Sequence, residues 1–232
     1  MKQKIITLAI ALMSVFGVQA YDFQSGDLYY NIISKKEPFA VEITFQNKYS
    51  SKSNNNYVGL TSVVVPAAVS YEGVEYSVTK IGKDAFRGCA SLLTVDMSNS
   101  ALRFIGSFAF CGCTGLTEIK LPNTITEIGS SAFSGCTGLT SVDLPNGIPV
   151  INDHLFYNCS SLNSISIPNS VTVIGSYAFY ACRSLPSVEI PFSVRRIDNS
   201  AFENCSKMTS VVLPESVQLG TDVFKGFTGY YY

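Results

Sequence analysis

The sequence predicts a repeat solenoid, in which short parallel strands and helical or 3₁₀ turns wind into stacked coils behind a β-rich N-terminal cap. Three observations carry this reading. From Ile81 onward the chain repeats: Ile81, Ile105, Ile128, Ile151, Ile174 and Ile197 are spaced by 24 residues once and then by 23 four times. At fixed distances behind them stand Phe86, Phe110, Phe133, Phe156, Phe179 and Phe202, and then Cys89, Cys113, Cys136, Cys159, Cys182 and Cys205. Prolines recur in the same register, at Pro122, Pro145, Pro168, Pro191 and Pro214. A fixed period of this length marks units that bury their apolar faces only by stacking on their neighbours.

The elements follow in chain order. Residues 1–20 read as a secretory signal peptide: Lys2 and Lys4 precede an apolar run from Ile5 to Val18, and Val18-Gln19-Ala20 suits a signal peptidase. The run, ~14 residues, is shorter than the ~20 of a membrane-spanning helix. The mature chain is therefore expected to start at Tyr21, be exported, and carry no transmembrane segment. Residues 21–80 read as a β-rich cap. Leu28 to Ile33 is a strand candidate, and Phe39, Val41, Ile43 and Phe45 alternate with more polar residues. Asn47 to Tyr57 is rich in serine and asparagine and reads as a loop. Residues 60–69 form half a repeat, and the extra residues between Val69 and Ile81, with Glu72-Gly73 near their middle, suggest a hairpin.

Residues 81–227 read as the solenoid, with six full units and a partial seventh, and 228–232 as a tail. In each unit a segment such as Ser141-Val142-Asp143-Leu144 alternates polar and apolar, the pattern of a strand with one face buried. The register proline ends that strand by removing an N–H from the ladder. Gly82, Gly106, Gly129, Asn152, Gly175 and Asp198 follow the marker isoleucines, and these residue types suggest a tight turn with positive φ. The Ala-Phe-x-x-Cys stretch behind them suits one helical or 3₁₀ turn with Phe and Cys inside. The tail ends in three tyrosines, which either pack over the last coil or leave it open.

The whole unit, Ala-Phe-x-x-Cys-x-x-Leu-x-x-Val-x-Leu-Pro-x-x-Val-x-x-Ile-Gly, resembles the BspA-type leucine-rich repeat of bacterial surface proteins. The resemblance covers residues 81–219 as full units and Leu219 to Phe227 as a partial copy. It implies adhesion to host proteins or other cells, with ligands that differ among members.

Little in the sequence points to catalysis or to a cofactor. The formal net charge is −1, and loss of Lys2 and Lys4 with the signal peptide takes it to −3, which lacks the basic footprint of a nucleic-acid binder. The six register cysteines would lie in one column at a coil spacing of ~4.8 Å with parallel side chains, a poor fit to disulfide geometry. They are expected to be buried free thiols. A column is no tetrahedron, so no metal site is expected. Cys111 stands where other units have Arg87, Ser134, Tyr157, Tyr180 and Glu203, a variable and exposed position. His154, the only histidine, has no nominated nucleophile or acid around it.

Two surfaces remain as candidates. The outward strand positions form a sheet face that includes Glu118, Lys120, Ser141, Asp143, Ser164, Ser166, Ser187 and Glu189. On the turns, His154 and Tyr157 of the fourth unit occupy the offsets of Tyr177 and Tyr180 in the fifth, with Arg183 three positions on. Stacking would gather these four rings into one patch. The expected function is that of an exported, non-catalytic binding protein, adhesin-like, for an unidentified protein or glycan at a cell surface. The sheet face is preferred for a protein and the turn patch for a glycan. The competing reading is a structural cell-envelope element that self-associates through its solenoid ends.

Overall fold

The computed structural model describes residues 21–45, 57, 59–227 and 229–231. The expected signal peptide, and the expected polar loop apart from Tyr57, lie outside the described residues. The cap is built from β1 (Phe23–Ser25), β2 (Leu28–Ser34), β3 (Ala40–Thr44), β4 (Ser62–Val64), β5 (Ala68–Tyr71) and β6 (Val74–Ile81). Each coil then adds a longer and a shorter strand. In order these are β7 (Thr94–Asp96) and β8 (Phe104–Ile105), β9 (Glu118–Lys120) and β10 (Glu127–Ile128), then β11 (Ser141–Asp143) and β12 (Val150–Ile151). They continue as β13 (Ser164–Ser166) and β14 (Val173–Ile174), β15 (Ser187–Glu189) and β16 (Arg196–Ile197), β17 (Ser210–Val212) and β18 (Gln218–Leu219). The last strand, β19, is Tyr230–Tyr231.

The result is a solenoid with two columns of parallel strands around one core. Longer strands pair in register, Val63 on Val95 on Ile119, Val142 on Ile165, and Val188 on Val211. Shorter strands do the same with the marker residues, Ile81 on Ile105 on Ile128 and Ile151 on Ile174 on Ile197. The cap is an extension of the second column. Strands β1, β2 and β3 form an antiparallel meander, and β3 lies parallel to β6, the first rung of the shorter strands. The hairpin between β5 and β6 closes through Glu72 and Gly73, both with positive φ, as a two-residue loop on twisted strands requires.

The turn segment is not the helical turn the sequence suggested: no helix occurs among the described residues. Seven residues in register, Asp84, Phe108, Ser131, His154, Tyr177, Ser200 and Asp222, have positive φ, and so do the positions four residues later, from Gly88 to Gly226. A left-handed residue at every fourth position breaks a helix and leaves a series of β-turns. In the first coil Ala85, Arg87 and Cys89 donate to the carbonyls three residues back, while Phe86 and Gly88 donate to Ala109 and Cys111 of the next coil. A helix would have consumed those amides internally and left nothing to join one coil to the next.

The residues after the marker isoleucines also differ from expectation, since none has positive φ. Glycine is favoured at four of these six positions because coils approach closely: a Cβ on Gly106 would stand 2.6 Å from the backbone nitrogen of Lys83. The sixth coil carries Asp198 and the fourth Asn152, whose side-chain amide donates to the carbonyl of Ile128 at 2.7 Å.

The core runs the length of the coil as a stack of rings. From Phe86 through Phe110, Phe133, Phe156, Phe179 and Phe202 to Phe224, neighbouring centroids lie 4.9–5.6 Å apart with planes within 16° of parallel. Tyr57 caps this stack at 4.8 Å from Phe86, although its sequence neighbourhood suggested only a polar loop. Its buried hydroxyl donates to the Thr44 carbonyl at 2.7 Å and accepts from the Tyr29 amide at 3.0 Å, tying the stack to the cap. Beside the rings runs the thiol column, and all seven cysteines are free. The sulfurs of Cys113, Cys136, Cys159, Cys182 and Cys205 donate to the phenylalanine carbonyl of the coil before, at 3.0–3.2 Å. Cys111 is half-buried, not exposed as its variable position suggested.

The packing yields two predictions. Phe133 and Phe156 are fully buried between rings on both sides, so replacing either by alanine costs about 3–5 kcal/mol. Phe224→Ala, in the incomplete last unit, costs less. Urea melts check this, and equal small losses at all three positions would show that a different face is buried. For the thiols, a reagent added without reductant labels Cys111 first and the register cysteines only on unfolding. Burial holds Cys136, Cys159 and Cys182 well above the ordinary thiol range and Cys205 up at about 12; Cys113 is raised by its hydrogen bond to Cys89 and by burial. A raised folded pKa means stability is complete below the unfolded thiol value of about 8.5 and falls as pH rises through the folded values. The slope approaches about 1.4 kcal/mol per pH unit for each thiol. Alkaline melts read this, and a flat profile between pH 8 and 10 would contradict the buried column.

Candidate ligand-binding surfaces

The longer strands present two outward columns on one face. Thr94, Glu118, Ser141, Ser164, Ser187 and Ser210 form the first, and Asp96, Lys120, Asp143, Ser166, Glu189 and Val212 the second. Strand register sets Ser141 on Ser164, Asp143 on Ser166 and Glu189 on Val212. All eight residues nominated on this face, from Glu118 to Glu189, are exposed. Lys120 and Glu118 form an ion pair of 3.5 Å, but both side chains are more than half exposed, so it contributes little. Hydrogen bonds from Ser98 hold the Asp96 carboxyl below its usual range, and nearby Lys120 adds to this. The face is polar, with short side chains over most of its length and no aromatic residue in either column.

The turn face is different. The left-handed positions are half-buried at Asp84, Phe108, His154 and Tyr177, exposed at Asp222 and buried at Ser131 and Ser200, and the position three residues later lies beside each. In coils four and five both positions carry rings. His154 stacks on Tyr177 with centroids 5.0 Å apart and planes 20° from parallel. Tyr157 stacks on Tyr180 at 4.9 Å and 6°. Within each coil the rings also touch, His154 to Tyr157 at 5.6 Å and Tyr177 to Tyr180 at 5.8 Å. The four sequence-nominated rings therefore form a two-by-two array, each half-buried. The Tyr180 hydroxyl accepts from the Asn204 side chain of coil six at 3.1 Å, which fixes that ring. Arg183 does not join the array: it is exposed and forms no ion pair or ring contact among the described residues.

His154 sits beside aromatic rings. Among the described residues its ring meets only Tyr157 and Tyr177, with no nucleophile held by it and no acid behind it. No group of three or more His, Cys, Asp or Glu residues is placed to hold a metal among the described residues. No described helix is long and apolar enough to cross a membrane.

Two surface residues were not singled out from the sequence. Phe108 occupies the position of His154 two coils earlier, with the Arg87 guanidinium 4.9 Å above its ring. Reading every coil at the offset of His154 would have found it. Phe192 is 87% exposed and replaces the asparagine that follows the register proline in Asn123, Asn146 and Asn169.

Comparison with known proteins agrees with this architecture. BspA type leucine rich repeat regions match residues 70–148 and 103–229, in 6 copies. A leucine rich repeat protein of T. pallidum, of known crystal structure, is 33% identical, with 88% of each chain covered and a TM-score of 0.73. A leucine rich cell surface protein of Faecalibacterium prausnitzii is 24% identical over 87% of this chain and 73% of its own, with a TM-score of 0.53. A leucine-rich repeat protein of Eubacterium ventriosum is 22% identical over 88% of this chain and 51% of its own, with a TM-score of 0.67. These last two share the fold. No curated protein matches the chain. With its repeats matched over more than half its length, the chain belongs to the BspA-type leucine-rich repeat family.

Proposed function

We propose that the chain is an exported, non-catalytic recognition protein, adhesin-like, that binds a protein or glycan at a cell surface through its turn face. The observation that carries this is the array of His154, Tyr157, Tyr177 and Tyr180. Ordered rings, held by their own stacking and by Asn204, offer apolar area and polar edges with little side-chain entropy left to lose. Aromatic residues and arginine dominate binding hot spots, whereas serine contributes little. On that ground the turn face overtakes the sheet face, whose outward columns are short and polar. The signal peptide expected over 1–20 and the family's surface relatives support export.

Self-assembly is the second reading, favoured by one observation. Strand β18 ends the column of shorter strands with Gln218 and Leu219 exposed and no further strand paired to it among the described residues. Such an edge is a template for another chain. Sedimentation velocity over a concentration series separates the readings, since only assembly requires oligomers that grow with concentration.

Binding to a panel of matrix proteins and glycans identifies a ligand, and two double variants then locate the face. Tyr157→Ala with Tyr180→Ala weakens binding by about tenfold or more, while Glu118→Arg with Asp143→Arg leaves it unchanged. Loss only in the second variant would move the site to the sheet. Parental binding by both folded variants would exclude both faces and direct the search to the N-terminal cap.

A further inference from the structure

The column of longer strands opens between coils four and five. Leu93, Thr117, Asn163 and Thr209, each just ahead of its strand, donate a backbone N–H to the coil before at 2.8–2.9 Å. Coil five has Pro186 at this position, with no N–H to offer Asn163. Strand β13 pairs with β11 and β15 with β17, but β13 and β15 form no ladder. Strands β9 and β11 form none either, yet Ile119 and Val142 stay buried there, whereas Ile165 of β13 is only half-buried. Ile165 lines a groove of about 370 Å³ that crosses the ends of β13, β15 and β17. Its lining is mostly apolar and includes Leu213 with the exposed Val212 and Phe192, while Glu189 and Asn169 are among its few polar groups.

We propose that this groove receives an arginine side chain of a protein partner, its stem on the aliphatic lining, its guanidinium against the Phe192 ring and its charge met by Glu189. The chain builds the same arrangement within itself. Arg87 lies 4.9 Å over the Phe108 ring while its guanidinium pairs with Asp84 at 2.8 Å. The groove offers the ring and the carboxylate and lacks the cation. No lysine or arginine lines it, and Glu189 forms no ion pair among the described residues. Glu215, in register with Phe192 one coil on, adds negative charge at the same corner. A guanidinium answers this better than an ammonium, because it is planar enough to stack on a ring and forked enough to meet a carboxylate with two N–H groups. A pyranose suits the groove less well, since hydroxyls on every side of it would face a lining that is mostly apolar. The groove shares no residue with the ring array of the turn face, so it is a second binding surface beyond the first.

The test follows the methyl signals of Ile165 and Val212 by NMR, assigned by their loss in Ile165→Val and Val212→Ala. The full mature chain is titrated with N-acetyl-L-argininamide, and in parallel with N-acetyl-L-citrullinamide, which has nearly the same shape without the charge, and with methyl β-D-glucopyranoside. A saturable shift with the arginine probe is expected, at a dissociation constant on the order of millimolar for so small a ligand. The citrulline probe binds at least about fivefold more weakly. Phe192→Asn installs the residue that coils two to four carry at this position, and it weakens the arginine probe about fivefold. Glu189→Gln, at an exposed strand position, weakens it by a similar factor and serves equally if Phe192→Asn fails to fold. Equal binding of the two amides, tighter binding of the sugar, a shift that survives both variants, or no shift at all would overturn the arginine site. Such a failure leaves the ring array to its own test, since Tyr157→Ala with Tyr180→Ala is read on the macromolecular ligand.

Discussion

A single distance, the step of about 5 Å between coils, governs this molecule. Parallel strands accept it because their hydrogen bonds repeat at that spacing. The phenylalanine rings accept it as offset stacks at 4.9–5.6 Å. The thiols accept it by reaching 3.0–3.2 Å to a carbonyl one coil away. Any residue repeated in register must tolerate its own copy at this step, both above and below. Buried charge cannot do so, because like charges in file repel in a low dielectric. Flat rings, branched aliphatics and small thiols can, which is why the inward columns contain little else.

The same step explains why so much was legible in the sequence. A column of identical contacts demands identical residues, so Ile128, Phe133, Cys136, Leu139 and Val142 announce their neighbours one period away. What stayed hidden depends on features without a period. Tyr57 sits in a serine- and asparagine-rich stretch and gives no sign that it caps the ring stack, because the fit arises only once β3 has brought Thr44 alongside. The turn was misjudged for a different reason. Ala-Phe-x-x-Cys has the spacing of a helical turn, but its amides are required by the adjacent coil, and this requirement acts between units. Glycine behind the marker isoleucines reads equally as conformational freedom or as close approach, and only the proximity of Lys83 to Gly106 decides for the latter. The ring array was legible because it is itself a register statement: equal offsets in adjacent units must touch.

A fold of this kind separates stability from recognition. The inward half of each coil is held to a narrow choice by the step, whereas the outward half has only to remain compatible with the backbone. The left-handed position shows how loose that restriction is, since it holds aspartate, phenylalanine, serine, histidine and tyrosine in successive coils. Positive φ strains a residue with a Cβ by a modest amount, and here the ladder of carbonyls and amides on either side imposes it on all of them alike. The backbone thus becomes a fixed rack on which side chains are exchanged at about 5 Å intervals. Specificity then resides in the order of large and small residues along a lane. Rings adjacent to rings make a platform.

The two ends of the rack are finished unequally, and this bears on how such a chain meets others. At the N-terminal end the meander of β1, β2 and β3 covers the shorter strands, and Tyr57 covers the rings. At the C-terminal end, Tyr230–Tyr231 adds a backbone rung to the longer strands, and Phe227 tilts by 51° against Phe224 to close the ring stack. The shorter strands stop at an exposed rung, where Leu219 is 48% accessible while the isoleucines in register with it are buried. The edge of β18, with Leu219 exposed, offers a partner backbone groups for an added strand at this corner.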